Sequence, residues 1–152
     1  MSIKLRGLFL LALLCAAAFA ATAQEQANPF LDDTQIHRID LTVGSGDWSS
    51  LLQNYTADTY YSATFAWNGI LEEVGIRQHG DASRSPIKPN LDINFGYFSG
   101  KQTFLGLPFI LLKANNEDPT NLHEWISMKL FRMMGFPAQL HRNPLKIGRA
   151  HV

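Results

Sequence analysis

Cysteine is almost missing from this chain: Cys15 stands alone, so no disulfide can form within it and no Cys-based metal site is available. An excess of either charge is also missing. Thirteen Lys and Arg balance thirteen Asp and Glu, with only a modest basic cluster toward the C-terminal end, and this excludes a basic face of the kind that binds nucleic acid. No apolar run reaches the ~20 residues that a bilayer-crossing helix needs. The patterns GxxxxGK[ST], HExxH and GxSxG are all absent, which removes a P-loop, a zincin site and a nucleophile elbow. The histidines, His37, His79, His123, His141 and His151, show no ligand spacing and read as surface residues. There is no internal repeat.

What is present begins with an export signal. Lys4 and Arg6 precede the apolar stretch Gly7 to Ala20, and Ala21, Thr22 and Ala23 offer the small residues of a cleavage site. The reading is therefore a signal peptide over 1–23 and a polar lead-in over 24–29. One domain follows from Phe30, and secretion to the periplasm or cell surface is expected. No membrane span is expected after cleavage. Ten Phe, four Tyr and three Trp supply the means for a core.

Period-two alternation of Ile39, Leu41 and Val43 predicts a strand within Gln35–Val43. A short helix is expected over Trp48–Tyr55 with Asp47 as its N-cap. Tyr61, Ala63, Phe65 and Trp67 alternate up to Asn68-Gly69, and Ile70–Gln78 returns, which is a hairpin signal. Leu91, Ile93 and Phe95 mark another strand. Phe109 to Leu112 is wholly apolar, so both of its faces are expected to be buried. A final helix is predicted from Pro119 to about Met134, with Asp118 as cap and a core stripe of Leu122, Trp125, Ile126, Leu130, Met133 and Met134. The expected class is α+β, an antiparallel sheet with a packed helix.

The stretch Val74 to Asn94 concentrates the chemistry-bearing residues. Gly80 allows close backbone approach, Ser83 offers a hydroxyl, and Arg77, Arg84 and Lys88 gather cations in a way that suits phosphate. The competing reading is a solvated loop whose basic residues pair with Glu72, Glu73 and Asp81.

In order, several of these pieces resemble the CotH (spore coat protein H) kinase family from about Phe30 to Leu140. The carriers are Phe30-Leu31-Asp32-Asp33, Asp47-Trp48, Val74-Gly75-Ile76-Arg77, Gly80, Ser83-Arg84, Lys88-Pro89 and Phe104-Leu105-Gly106-Leu107. Asp118-Pro119, Leu122, Glu124, Leu130-Phe131 and Met134-Gly135-Phe136-Pro137-Ala138 complete the set. Gln78-His79-Gly80-Asp81 departs from the family, which more often carries a basic residue before the glycine.

The resemblance implies the N-terminal lobe of a divergent protein-kinase-like fold. It also implies ATP and Mg²⁺ as cofactors, and phosphoryl transfer to Ser or Thr of exported or surface proteins. Kinases hold a phosphate-binding strand lysine with a helix glutamate. On that pattern Lys88 is the candidate nucleotide lysine and Glu124 its partner, with Arg77, Ser83 and Arg84 near the phosphates. The family's catalytic and metal carboxylates belong to the half after Gly135-Phe136-Pro137-Ala138, so the domain over 30–146 is expected to be incomplete and inactive by itself. Its uncovered apolar face is expected to associate. Ile147 to Val152 resembles the translation of a sequencing-library adapter and is expected to be foreign. The alternative function is a non-catalytic surface or coat module; a weaker third is a carbohydrate-binding β domain using Trp48 and Trp67.

Overall fold

A computed structural model of the chain describes residues 28–32, 34, 36–118, 120 and 122–139, together with the main chain of 145–151. The expected signal peptide, most of the lead-in, Pro119 as first helical residue, Leu140, His141 and Val152 lie outside the described residues. The chain divides into two units, Met1–Gln35 and Ile36–Val152. In the first, Pro29–Leu31 makes one turn of 3-10 helix, begun by the Asn28 side chain accepting from the Phe30 amide at 3.0 Å.

The second unit is built on one sheet. Its elements are β1 (His37–Val43), α1 (Ser45–Gln53), β2 (Tyr61–Trp67), β3 (Ile70–Gln78), β4 (Leu91–Asn94), β5 (Phe109–Leu112), α2 (His123–Met133) and β6 (Leu145–His151). The sheet order is β5-β4-β3-β2-β1-β6, with β1 to β5 antiparallel and β6 parallel to β1. The fold is α+β. The last strand is unforeseen, since apolar alternation stops at Ile147; a parallel ladder needs only main-chain donors and acceptors from both strands.

Local chemistry explains the central hairpin. Asn68 at φ 47° and Gly69 at φ 81° give the two-residue turn whose twist matches that of the strands, and the register locks Trp67 opposite Ile70. Because alternate residues share a face, Ile39, Leu41, Val43, Ala63, Phe65, Val74, Ile76, Ile93 and Leu112 all fall on one side and are buried. Trp48 and Leu51 of α1 are buried as well. That helix begins two residues before Asp47, with Gly44 as N-cap, so Asp47 sits in the first turn and complements the helix dipole.

Aromatic rings fill the middle of this core. Phe65 meets Phe95 and Phe104 edge-on at 5.1 and 4.9 Å, and Phe104 stacks on Phe95 at 5.2 Å. Each such pair adds roughly 0.5–1.5 kcal/mol beyond the area it buries. Phe104 reaches the core from a small hairpin in which Leu105 adopts φ 51°, a conformation that costs a non-glycine residue roughly 1–2 kcal/mol. Trp48 and Trp67 are buried, which withdraws them as a carbohydrate platform. His37 is buried too, with its ring 5.7 Å from that of Trp67, contrary to the surface reading.

Two expectations about packing fail. β5 is an edge strand, so Phe109 is exposed and Leu111 half-buried instead of both faces being covered. α2 starts at His123, and Asp118 binds the turn before it, accepting from the amides of Thr120 at 3.0 Å and His123 at 2.9 Å. No residue of α2 is buried. Its half-buried side is Glu124, Trp125, Met128 and Arg132, while Leu122, Ile126, Leu130 and Met133 point outward. Apart from Trp125, the predicted core stripe is the outer face. Among the described residues no helix is long and apolar enough to cross a membrane.

Candidate functional site

The loop from His79 to Asn90 is closed at its base by the His79 amide donating to the Asn90 carbonyl at 2.9 Å. Gln78, buried at the end of β3, braces it from below. Its amide nitrogen donates to the Leu51 and Ser85 carbonyls at 3.2 and 2.9 Å, and its oxygen accepts from the Ser85 amide at 3.0 Å. The side chain thus behaves as an extra stretch of backbone. Ser85 Oγ in turn accepts from the amides of Ile87 and Lys88. Asn90 Nδ2 donates to the Ser83 carbonyl at 3.3 Å, and Asn90 Oδ1 accepts from the Ala114 amide at 2.7 Å. Gly80 adopts φ 105°, where an L side chain is strained, and a Cβ there would also force Ser83 Oγ, 2.2 Å away, to turn aside.

Arg77 and Arg84 do converge, and they do so on carboxylates. Arg84 donates to the carbonyls of Gly80 and Thr56 at 2.5 and 2.7 Å and pairs with Asp58. Arg77 Nε donates to Asp92 Oδ2 at 3.1 Å, its terminal nitrogen lies 3.5 Å from Asp58, and its guanidinium sits 4.8 Å over the Tyr60 ring. Tyr60 Oη donates to the same Asp92 oxygen at 3.0 Å. The Arg84 hydrogen bond and charge hold the Asp58 carboxyl below its ordinary value, with Arg77 adding to it. Burial pushes the Tyr60 hydroxyl up, which keeps it a proton donor.

Neither carboxylate was among the partners expected for the loop. Asp92 reads in the sequence as the polar half of an alternating strand; the ladder places it directly across from Arg77. Asp58 comes from the turn after α1, and nothing local marks it. Ser83 stays exposed beside Gly80 and Asn90. Lys88 is exposed at the far end of the loop, where its carbonyl accepts from Asn116 Nδ2 at 3.2 Å.

Glu124 meets a lysine, but among the described residues that lysine is Lys113 at the end of β5, not Lys88. This pair ties the edge strand to the first turn of α2. Ahead of it, Asp118 is held at about 2, first by the Thr120 hydroxyl and then by the amides of His123 and Thr120.

As a phosphate site the loop is largely self-neutralised. A phosphate would have to displace Asp58 from Arg84 and Asp92 from Arg77, so of the sequence's three cations Lys88 is the one that extends from the loop without a carboxylate among the described residues. Among the described residues no three His, Cys, Asp or Glu side chains come together as a ligand set. No family model matches this sequence, and no curated protein matches it either.

Proposed function

We propose that this is an exported protein of the CotH kind and that its second unit serves as the nucleotide-side lobe of a protein-kinase-like phosphotransferase. In the whole enzyme, phosphate would pass from ATP to Ser or Thr of exported or surface proteins. The observation that carries this reading is the Lys113–Glu124 pair, a strand-end lysine held by a helix glutamate beside an antiparallel sheet. Protein kinases use that combination to position nucleotide phosphates. It also moves the assignment within the site: Glu124 keeps its role, and Lys113 joins Lys88 as a candidate phosphate ligand. Gly80, Ser83 and Lys88 supply the loop beside it, with Arg77 and Arg84 setting its shape.

Calorimetry with ATP and Mg²⁺ on the purified chain tests the reading, with Lys113→Ala and Lys88→Ala as variants. Weak binding that falls at least about tenfold in Lys113→Ala supports it. Absence of nucleotide binding would sink it and favour the second reading, a non-catalytic surface or coat module with the same fold. That second reading draws on the arginines being occupied by Asp58 and Asp92.

A further inference from the structure

α2 is an amphipathic helix mounted with its apolar side outward. Leu122, Ile126, Leu130, Met133 and Met134 are 41 to 78 % exposed, whereas the side toward the rest of the unit includes Glu124 and Arg132. Glu124 is fastened there by Lys113, so the helix cannot roll its stripe inward without breaking that pair. Such a face is stable in water only when something covers it.

We propose that a second copy of this chain covers it, α2 against α2 in antiparallel orientation about a twofold axis. The row Leu122, Ile126, Leu130, Met134 is an uninterrupted i+4 ridge, and it is symmetric in size about its midpoint. An antiparallel copy therefore sets Leu122 against Met134 and Ile126 against Leu130, large apolar groups throughout. Two i+4 ridges interdigitate at a crossing angle of about −50°, the commonest helix packing. The arrangement opposes the two helix dipoles favourably.

Charge permits the same register. No carboxylate lies in the ridge, so none is desolvated. Lys129, on its flank, lies 4.7 Å over the Trp125 ring, which draws its ammonium toward the inner side of the helix; the twofold keeps it on the same flank as its own copy. The area is adequate. From their fractional exposures the outward side chains present roughly 500 Å² of apolar surface, which equals the apolar share, about 65 %, of the ~800 Å² per partner in a standard homodimer interface. The inference does not depend on the phosphotransfer reading.

The test is the mass of the full chain in solution by sedimentation velocity and light scattering, for wild type and for a variant carrying Ile126→Glu with Leu130→Glu. The wild type is expected to be a dimer, and the variant a monomer with an unchanged circular dichroism spectrum and a dissociation constant raised about a hundredfold or more. A monomeric wild type overturns the proposal, as does an oligomer that survives the double substitution. Register is tested in a Cys15→Ser background by mixing a chain bearing Ile126→Cys with one bearing Leu130→Cys. A mixed disulfide dimer supports the antiparallel pairing; disulfides only between identical chains overturn it.

Discussion

Gly75 lies directly beneath Tyr97: a Cβ on Gly75 would come within 2.7 Å of Cγ and 2.8 Å of Cβ of that tyrosine. These are the near atoms of the side chain, so a small torsion cannot clear them. Tyr97 also stacks on Tyr60 at 4.6 Å, and Tyr60 in turn receives Arg77 on its ring and donates to Asp92. The backbone of one β3 residue therefore sets the position of a side-chain stack that ends at the Arg77 cluster.

Substituting Gly75→Ala is expected to displace the Tyr97 ring and cost about 1–3 kcal/mol, the usual penalty of overpacking a filled site. Near-ultraviolet circular dichroism should lose part of its tyrosine signal, and chemical denaturation should show the loss in stability. Stability unchanged within 0.3 kcal/mol, a roughly estimated detection limit, would show that the ring moves aside freely.

Asp92 is the acceptor for two groups, Arg77 Nε and Tyr60 Oη, and its side chain is 11 % exposed. Replacing it by Ala removes both bonds and leaves the arginine, among the described residues, with its longer contact to Asp58 and its place over the Tyr60 ring. The expected cost is about 2 kcal/mol, below the full value for a buried pair because Arg77 remains about a third exposed and water can screen it. A double-mutant cycle with Arg77→Ala measures the coupling directly. Additive losses would mean that the pair contributes nothing beyond its separate parts.

Acid should weaken the segment that leads into α2. The Asp118 carboxyl is held at about 2 against an ordinary 3.8, so its contribution is fully present above the ordinary value and is lost as pH falls toward about 2. Asp58 acts in the same direction, held down by Arg84. Denaturation midpoints between pH 6 and pH 2.5, in roughly the range where carboxylates titrate, should therefore fall more steeply for wild type than for Asp118→Asn. Parallel curves for the two proteins would exclude Asp118 as a source of acid sensitivity.

Much of the sheet was legible before any coordinates. Asn68-Gly69 dictates a turn, and alternation on either side dictates which residues face inward, because both effects act between near neighbours in the chain. The loop after β3 was legible as a place of concentrated polar chemistry, where Ser83 and Lys88 stay exposed while Arg77 and Arg84 converge on Asp58. Their partners were not legible. Asp58 and Asp92 reach the arginines through the pairing register and the turn after α1, and a sequence pattern carries no record of either.

The sequence by itself determined that α2 is amphipathic, that Phe65 belongs to the inward face of a hairpin, and that the hairpin closes at Asn68. Tertiary structure decided which side of α2 looks inward, that β5 lies at an edge with Phe109 uncovered, and that Glu124 takes Lys113. The reason is physical. Turn chemistry and hydrophobic period are properties of adjacent residues, whereas covering a face or neutralising a charge depends on what distant segments bring beside it.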